Sequence, residues 1–304
     1  MTVSIHKAGL LTSLQDLGRS GWRNQGISAA GAMDPLAATL GNLLLQQTPH
    51  TPVLEITFGM AELRFGCSGW VALTGADLGA RLDGNAVAPW WRFPVEAGQR
   101  LLFTRPRQGY RAYLALSGGL EGMPFLGSVS ADLAAGLGAP LRDGEVLNWK
   151  PQRRFAGSLL IRAPRRGRLR ALPGPEEAAF PGPARYLFWQ GAWAVSRHAD
   201  RMGLRLSGPA LLGYQGQELA SHGVLPGVVQ VPGDGQPILL GAEAQSTGGY
   251  PKVAMLCRAD LWQLGQLGPG DELAFLRITQ REAVQAYRQQ QAYLARVREH
   301  VQAH

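Results

Sequence analysis

The residues best placed to do chemistry lie between Ser221 and Lys252. His222 sits between Ser221 and Gly223, and a positioned histidine near a carboxylate can act as a general acid or base. The carboxylate of the stretch is Glu243. Two amides (Gln230, Gln245), two hydroxyls (Ser246, Thr247) and the pair Gly248-Gly249 lie close by in sequence. Glycine lets backbone approach a ligand closely, and loops on a rigid scaffold commonly carry function. Lys252 could meet an anionic substrate or a phosphate. Upstream, Arg201 could fix a substrate carboxylate, since its fork matches carboxylate geometry.

Each of these residues has a structural alternative. Gly248-Gly249-Tyr250-Pro251 could be only a tight turn, with the proline forcing Tyr250 into an extended conformation. His222 could bond to backbone, and Lys252 could be a surface charge. Arg201 could pair with Asp200 or another acid. Asp34 stands immediately before Pro35, the pattern of an N-cap followed by proline in the first helical turn. The same helix N-terminus could also bind an anion.

The elements that must position these residues read as mainly β. Val228 to Val231 and Ile238 to Leu240 flank Pro232-Gly233-Asp234-Gly235, which predicts a hairpin. Short β runs also occur at 3–8, 53–58, 62–65, 70–74, 80–82, 101–104, 111–116 and 145–149, separated by Gly, Asp, Asn and Pro. Many short strands at regular spacing predict a barrel or sandwich. Residues 9–32 and 120–145 read as long Gly-rich loops, a kind that often carries function. Helices are expected from Leu36 to about Gln46, at 184–190 and at 259–264. Thr279-Gln-Arg-Glu282 is a capping box that starts a C-terminal helix running to about Val301. Val284, Tyr287, Leu294 and Val301 are its expected apolar face, with the last two turns fraying or packing on a partner.

The chain has 304 residues, 45% hydrophobic and 17% charged, a globular composition long enough for two domains. It has no run of about 18 apolar residues and no signal-like apolar start. Cys67 and Cys257 are far apart and fit buried thiols in a reducing cytosol. A cytoplasmic protein without a membrane partner is therefore expected. The net charge of +8 is local: eight basic residues and no acidic ones lie between Val146 and Pro175, and the remainder balances at 22 basic against 22 acidic. No aromatic platform interleaves this stretch, so no nucleic-acid partner is expected. The stretch is instead the best candidate for a domain boundary.

Several motifs are absent. The sequence has no Gly-x4-Gly-Lys-Ser/Thr loop for ATP phosphates and no dinucleotide fingerprint. It has no clustered Cys/His ligands, so no metal site is expected. It has no Met-Lys dipeptide of a biotinyl carrier. Ser117-Gly118-Gly119 lacks the context of a nucleophile elbow.

The segment from Gly227 to Ile238 and Gln245-Ser-Thr-Gly-Gly-Tyr-Pro251 closely resembles the KipA / allophanate hydrolase subunit 2 family, which is biotin-dependent carboxyltransferase-like. Gln15-Asp-Leu-Gly-Arg19, Gly31-Ala-Met-Asp34, Leu54-Glu-Ile-Thr-Phe-Gly59, Leu172-Pro-Gly-Pro-Glu176, Asp200-Arg-Met-Gly203 and Ser221-His-Gly-Val224 follow in the family's order. The likeness covers residues 3 to 285. Family members usually have Asp where this chain has Glu243 and Thr where it has Ser246; both changes keep the chemistry and alter the reach.

The resemblance implies two cyclophilin-like β-barrel domains in tandem, at 1–165 and 166–280, followed by a C-terminal helix at 281–304. It implies one component of a multi-subunit, ATP-dependent 5-oxoprolinase that opens the lactam of 5-oxo-L-proline to L-glutamate. ATP would be required by the complex. The implied partners are the other two components of such a hetero-oligomer: a smaller, KipI-like (B-type) protein and an A-type protein. His222 and Glu243 would move protons. Gln230, Gln245, Thr247, Gly248 and Gly249 would hold the amide, and Arg201 or Lys252 the carboxylate, with Asp34 a further binding residue. Two other activities are compatible with the family: the carboxyltransferase component of a biotin-dependent urea or amide carboxylase, and a regulatory protein that binds a kinase inhibitor.

Overall fold

The computed structural model describes all 304 residues, Met1–His304. The chain divides into two compact units. One comprises Met1–Arg19, Ala30–Pro164 and Tyr293–His304; the other comprises Ser20–Ala29 and Arg165–Ala292.

In the first unit, alternating apolar positions make strands that bury one face. The strand Ala61–Phe65 buries Ala61, Leu63 and Phe65 and turns Arg64 outward. It pairs with Thr2–Ala8 and Arg100–Leu102 in a six-stranded sheet. A second six-stranded sheet is built around Gly69–Asp77, Gln108–Leu116 and Val53–Thr57. Val3, Ile5, Leu63 and Phe65 of the first sheet and Leu54, Ile56, Leu73 and Leu114 of the second share one core. Each such fully buried side chain contributes about 1.5–3 kcal/mol.

The helix Pro35–Leu44 packs on the second sheet. Its Gly41 faces Thr74 and Ala115, where an added Cβ would come within 3.1 Å of Thr74 Oγ1. Asp34 caps this helix, its carboxylate accepting the Ala37 N–H at 2.7 Å.

The region 9–32 is not wholly a loop. Leu11–Gln15 is a strand paired in register with Val53–Thr57. Its alternation is hidden because Thr12, Ser13 and Gln15 are buried polar residues. Trp91–Val95 is a further strand, paired with Gly69–Asp77, that the proline at 94 disguises in the sequence.

The second unit is built on an eight-stranded sheet. From edge to edge its strands are Glu272–Leu273, Trp193–Val195, Gly203–Ser207, Ile238–Leu240, Val228–Gln230, Lys252–Leu256, Leu169–Pro173 and Phe275–Arg277. Only Ala274 separates the first of these strands from the last, so the sheet closes on itself and leaves no long open edge. The closing pair, Leu169–Pro173 with Phe275–Arg277, is parallel, whereas the other pairs are antiparallel. The predicted hairpin is present, with Val229 opposite Leu239 and Gln230 opposite Ile238. Phe188, on the helix Gly182–Gln190, stacks on Phe275 at 4.6 Å in the interior. The chain is thus mainly β with a few helices, two cyclophilin-like β-barrel domains in tandem.

The capping box is formed. Thr279 N and Oγ1 each donate to Glu282 Oε2 at 2.7 Å, and Glu282 N returns a bond to Thr279 Oγ1. The helix runs Gln280–Gln302. Its apolar face differs from the expected one: Val284 is exposed, while Ala286, Val297 and Val301 are buried. The last turns do not fray. Val301 is buried, and its carbonyl accepts from Gln46 Nε2 at 2.9 Å. No helix is long and apolar enough to cross a membrane.

Candidate functional site

The hairpin and its neighbour strand carry the centre of the site. Between Val228–Gln230 and Lys252–Leu256 the register shifts, so that Val229 opposes Ala254 while Gln230 opposes Lys252. This is a bulge at Val253, of the kind that re-aims side chains beside functional sites. It places Lys252 opposite Gln230, and directly opposed residues share a face of the sheet.

Lys252 is almost fully buried and is not a surface charge. Its ammonium meets Glu176 Oε2 at 2.8 Å and donates to His222 Nε2. The backbone N–H of Lys252 donates to the same Glu176 oxygen at 3.0 Å. Glu176 reaches this point because Pro173-Gly174-Pro175 turns tightly against the lysine's backbone. A Cβ on Gly174 would lie 2.1 Å from the Lys252 carbonyl oxygen, so only glycine fits there.

His222 belongs to a short strand, His222–Gly223, that pairs with Thr247–Gly248; His222 opposes Gly248. Its Nδ1 lies 2.9 Å from the Ala220 carbonyl. A carbonyl can only accept, so Nδ1 carries the proton and Nε2 presents a lone pair, which Lys252 fills. The backbone bond expected as the structural alternative is thus present at Nδ1, while Nε2 faces Lys252.

Gln230 is buried at the end of its strand. Its Oε1 accepts from Gln245 Nε2 at 3.4 Å, while its Nε2 has no protein acceptor. A buried donor left unpaired costs about 1–3 kcal/mol, so this one is disposed to take an acceptor oxygen from a ligand. Gly248 lies flush against the same amide: a Cβ there would be 2.7 Å from Gln230 Nε2. Thr247 and Gly249 flank it on the same segment, with Thr247 exposed.

Arg201 and Glu243 form a separate centre. Arg201 Nε donates to Glu243 Oε1 at 2.5 Å, and both side chains are almost fully buried. Glu243 N also donates to the Arg201 carbonyl. Arg201 thus pairs with Glu243, not with Asp200. The pair flanks the rung Gly203–Leu240, at the opposite end of the strands from the rung that joins Gln230 and Lys252. Asp34 belongs to the first unit, buried, with its helix-capping bond.

The structure therefore brings together His222, Lys252, Gln230, Gln245 and Gly248. Glu176 joins them from 76 residues away. In the sequence it stood only as the last residue of the Leu172-Pro-Gly-Pro-Glu176 motif. Arg23 is the other addition. Its guanidinium donates to the carbonyls of Val224 and Gln245, both at 2.7 Å, and of Ala244 at 3.2 Å. Burial lowers its pKa from the usual arginine value. An arginine in a Gly-rich stretch carried no signal of this.

A family model described as the carboxyltransferase domain, subdomain A and B, matches residues 25–277. The chain is 44% identical over 299 residues to the C-type subunit of 5-oxoprolinase from Escherichia coli (strain K12), covering 96% of each chain. It is 38% identical to the protein of the same name from Haemophilus influenzae, covering 94% of each. The crystal structure of the Kluyveromyces lactis urea carboxylase matches with a TM-score of 0.88 at 25% identity, covering 97% of this chain and 29% of that one. A model match over most of the chain, with relatives alike from end to end, gives the conclusion that the chain belongs to the carboxyltransferase domain, subdomain A and B, family.

Proposed function

We propose that this chain is one component of a multi-subunit, ATP-dependent 5-oxoprolinase that opens 5-oxo-L-proline to L-glutamate. The observation that carries this reading is the 44% identity, over 96% of both chains, to a protein named as the C-type subunit of 5-oxoprolinase. The site fits a small lactam acid. The unpaired Gln230 Nε2 donates to the lactam oxygen, with Gln245 and the Gly248-Gly249 backbone beside it. Lys252 meets the ring carboxylate. His222 Nε2, freed when the substrate draws Lys252 away, takes the proton from the attacking water. Water adds to the lactam carbonyl carbon, the ring C–N bond breaks, and the nitrogen leaves as the amine of glutamate after gaining a proton. Arg201 and Glu243 are buried and paired with one another, which favours Lys252 and His222 for these roles.

In the complex, ATP would supply the drive by phosphorylating the oxygen of a poorly electrophilic lactam, with ADP leaving; ring opening by the first water would then leave an acyl phosphate, and a second water would release inorganic phosphate and glutamate. The chain itself has no P-loop. The partners are a KipI-like, B-type protein and an A-type protein, and the complex is cytoplasmic.

The test is 5-oxoproline-dependent glutamate release with ATP, using the chain alone and then co-expressed with its genomic neighbours. Activity only in the co-purified complex is expected. An intact complex that releases no glutamate would overturn the proposal. In that event biotin-dependent carboxylation of urea or an amide is the next activity to assay, since a urea carboxylase structure matches 97% of the chain.

A further inference from the structure

We infer that Arg23 is a positioning residue that sets the geometry of His222 by stapling together the two segments that carry the site. The inference rests on the reading of His222 and Gly248 as site residues and names what holds them in place.

The two strands concerned are very short. His222–Gly223 and Thr247–Gly248 share two rungs, extended by one bond from Val224 N to the Ser246 carbonyl at 3.0 Å. A two-stranded pair of this size is not stable by itself. Arg23 supplies the missing constraint. One guanidinium nitrogen takes the carbonyl of Val224, immediately after the first strand. The same nitrogen takes the carbonyl of Gln245, just before the second, and another nitrogen takes that of Ala244.

Three carbonyl acceptors on two segments call for a rigid planar fork. An ammonium would reach them less well, because it is a point charge without a fixed plane. The fork thereby fixes the distance between the backbone of His222 and that of Gly248. That distance decides whether His222 Nε2 meets Lys252 and whether Gly248 closes on the Gln230 amide. Arg23 lies in Ser20–Ala29, which belongs to the second unit although the residues on either side of it in sequence belong to the first. The ends of this excursion are tied inside the first unit by Ala32 N donating to the Asp16 carbonyl at 2.9 Å.

The test compares Arg23→Ala and Arg23→Lys with the unmodified chain. Nitrogen-15 NMR of the histidine rings reads the His222 tautomer in the chain alone, without any assumption about the reaction. The His222→Ala variant assigns its signal. Expected is a shift of the His222 Nε2 resonance in both variants, larger in Arg23→Ala. In the active complex kcat should fall on the order of 10²-fold, the scale of a 1 Å misplacement, with KM changed much less. Guanidinium at millimolar concentration should restore part of kcat to Arg23→Ala and none to His222→Ala. Should Arg23→Ala fail to fold, Arg23→Lys carries the same readouts. An unmoved His222 resonance with unchanged kcat would overturn the inference. A moved resonance in a complex that lacks 5-oxoprolinase activity even unmodified would overturn the proposed reaction and leave the positioning role standing.

Discussion

Arg201 and Glu243 are 42 residues apart in sequence and meet at 2.5 Å as an ion pair, with 4% and 2% of their side chains exposed. Removing one partner of such a pair strands a buried charge, which costs about 3–5 kcal/mol. Glu243→Ala should therefore lower stability by that amount in urea unfolding, and Arg201→Ala likewise. The double variant Arg201→Met/Glu243→Leu should recover most of the loss, because no charge is left uncompensated. Losses that simply add in the double variant would show that the two residues are not a coupled pair.

His222 makes a different prediction. Lys252 keeps its bond to Glu176 when the imidazole is deleted. His222→Ala should thus fold and assemble normally. Its glutamate release in the complex should fall by about 10²–10⁴-fold, the usual contribution of a general acid or base. Full activity in this variant would remove His222 from the chemistry.

A Cβ on Gly248 would meet the Gln230 Nε2 at 2.7 Å. Gly248→Ala should push that amide aside and raise KM for 5-oxoproline by about tenfold, equivalent to about 1.4 kcal/mol of binding. The unfolding midpoint should move little, since the displaced group is the end of a flexible side chain. An unchanged KM would mean that the Gln230 donor does not meet the substrate.

A fourth prediction concerns alkaline pH. Tyr113 is fully buried, and its hydroxyl donates to Glu55 Oε2 at 2.8 Å while accepting the Asp34 N–H at 2.7 Å. Burial first, and then the Glu55 charge, push its pKa well above the usual 10.0. The unfolded chain therefore releases this proton at lower pH than the native one. The stabilisation is fully present below pH 10.0 and is lost as pH rises from there toward the folded-state value. Unfolding free energy measured from about pH 8 to 11 should fall at the alkaline end, and Tyr113→Phe should flatten that slope. The variant should also lose about 1–3 kcal/mol at neutral pH, because it leaves the buried Asp34 N–H without its acceptor.

Much of the local structure was legible in the residues. The hairpin at Pro232-Gly233-Asp234-Gly235, the Asp34-Pro35 helix start and the Thr279–Glu282 capping box each depend on neighbours within a few positions. Short-range sterics and hydrogen bonds decide them. Strand Leu11–Gln15 was not legible, since it buries the polar residues Thr12, Ser13 and Gln15 on both its faces, and Gln15 is satisfied only once distant chain surrounds it. Gln15 Nε2, for example, reaches the Ala131 carbonyl.

By itself the sequence determined which residue types would crowd the Ser221–Lys252 segment, and that glycines would keep its backbone open. Tertiary structure alone decided their partners. The antiparallel pairing of Leu169–Pro173 with Lys252–Leu256, together with the Gly174 turn, carries Glu176 to Lys252. The bulge at Val253 turns Lys252 to the face of Gln230. The same fold sends Arg201 and Glu243 to the far end of the strands as a neutral pair. The physical reason is range: backbone preferences act over a few residues, whereas the pairing of buried charges is set by which strands the closed sheet makes neighbours.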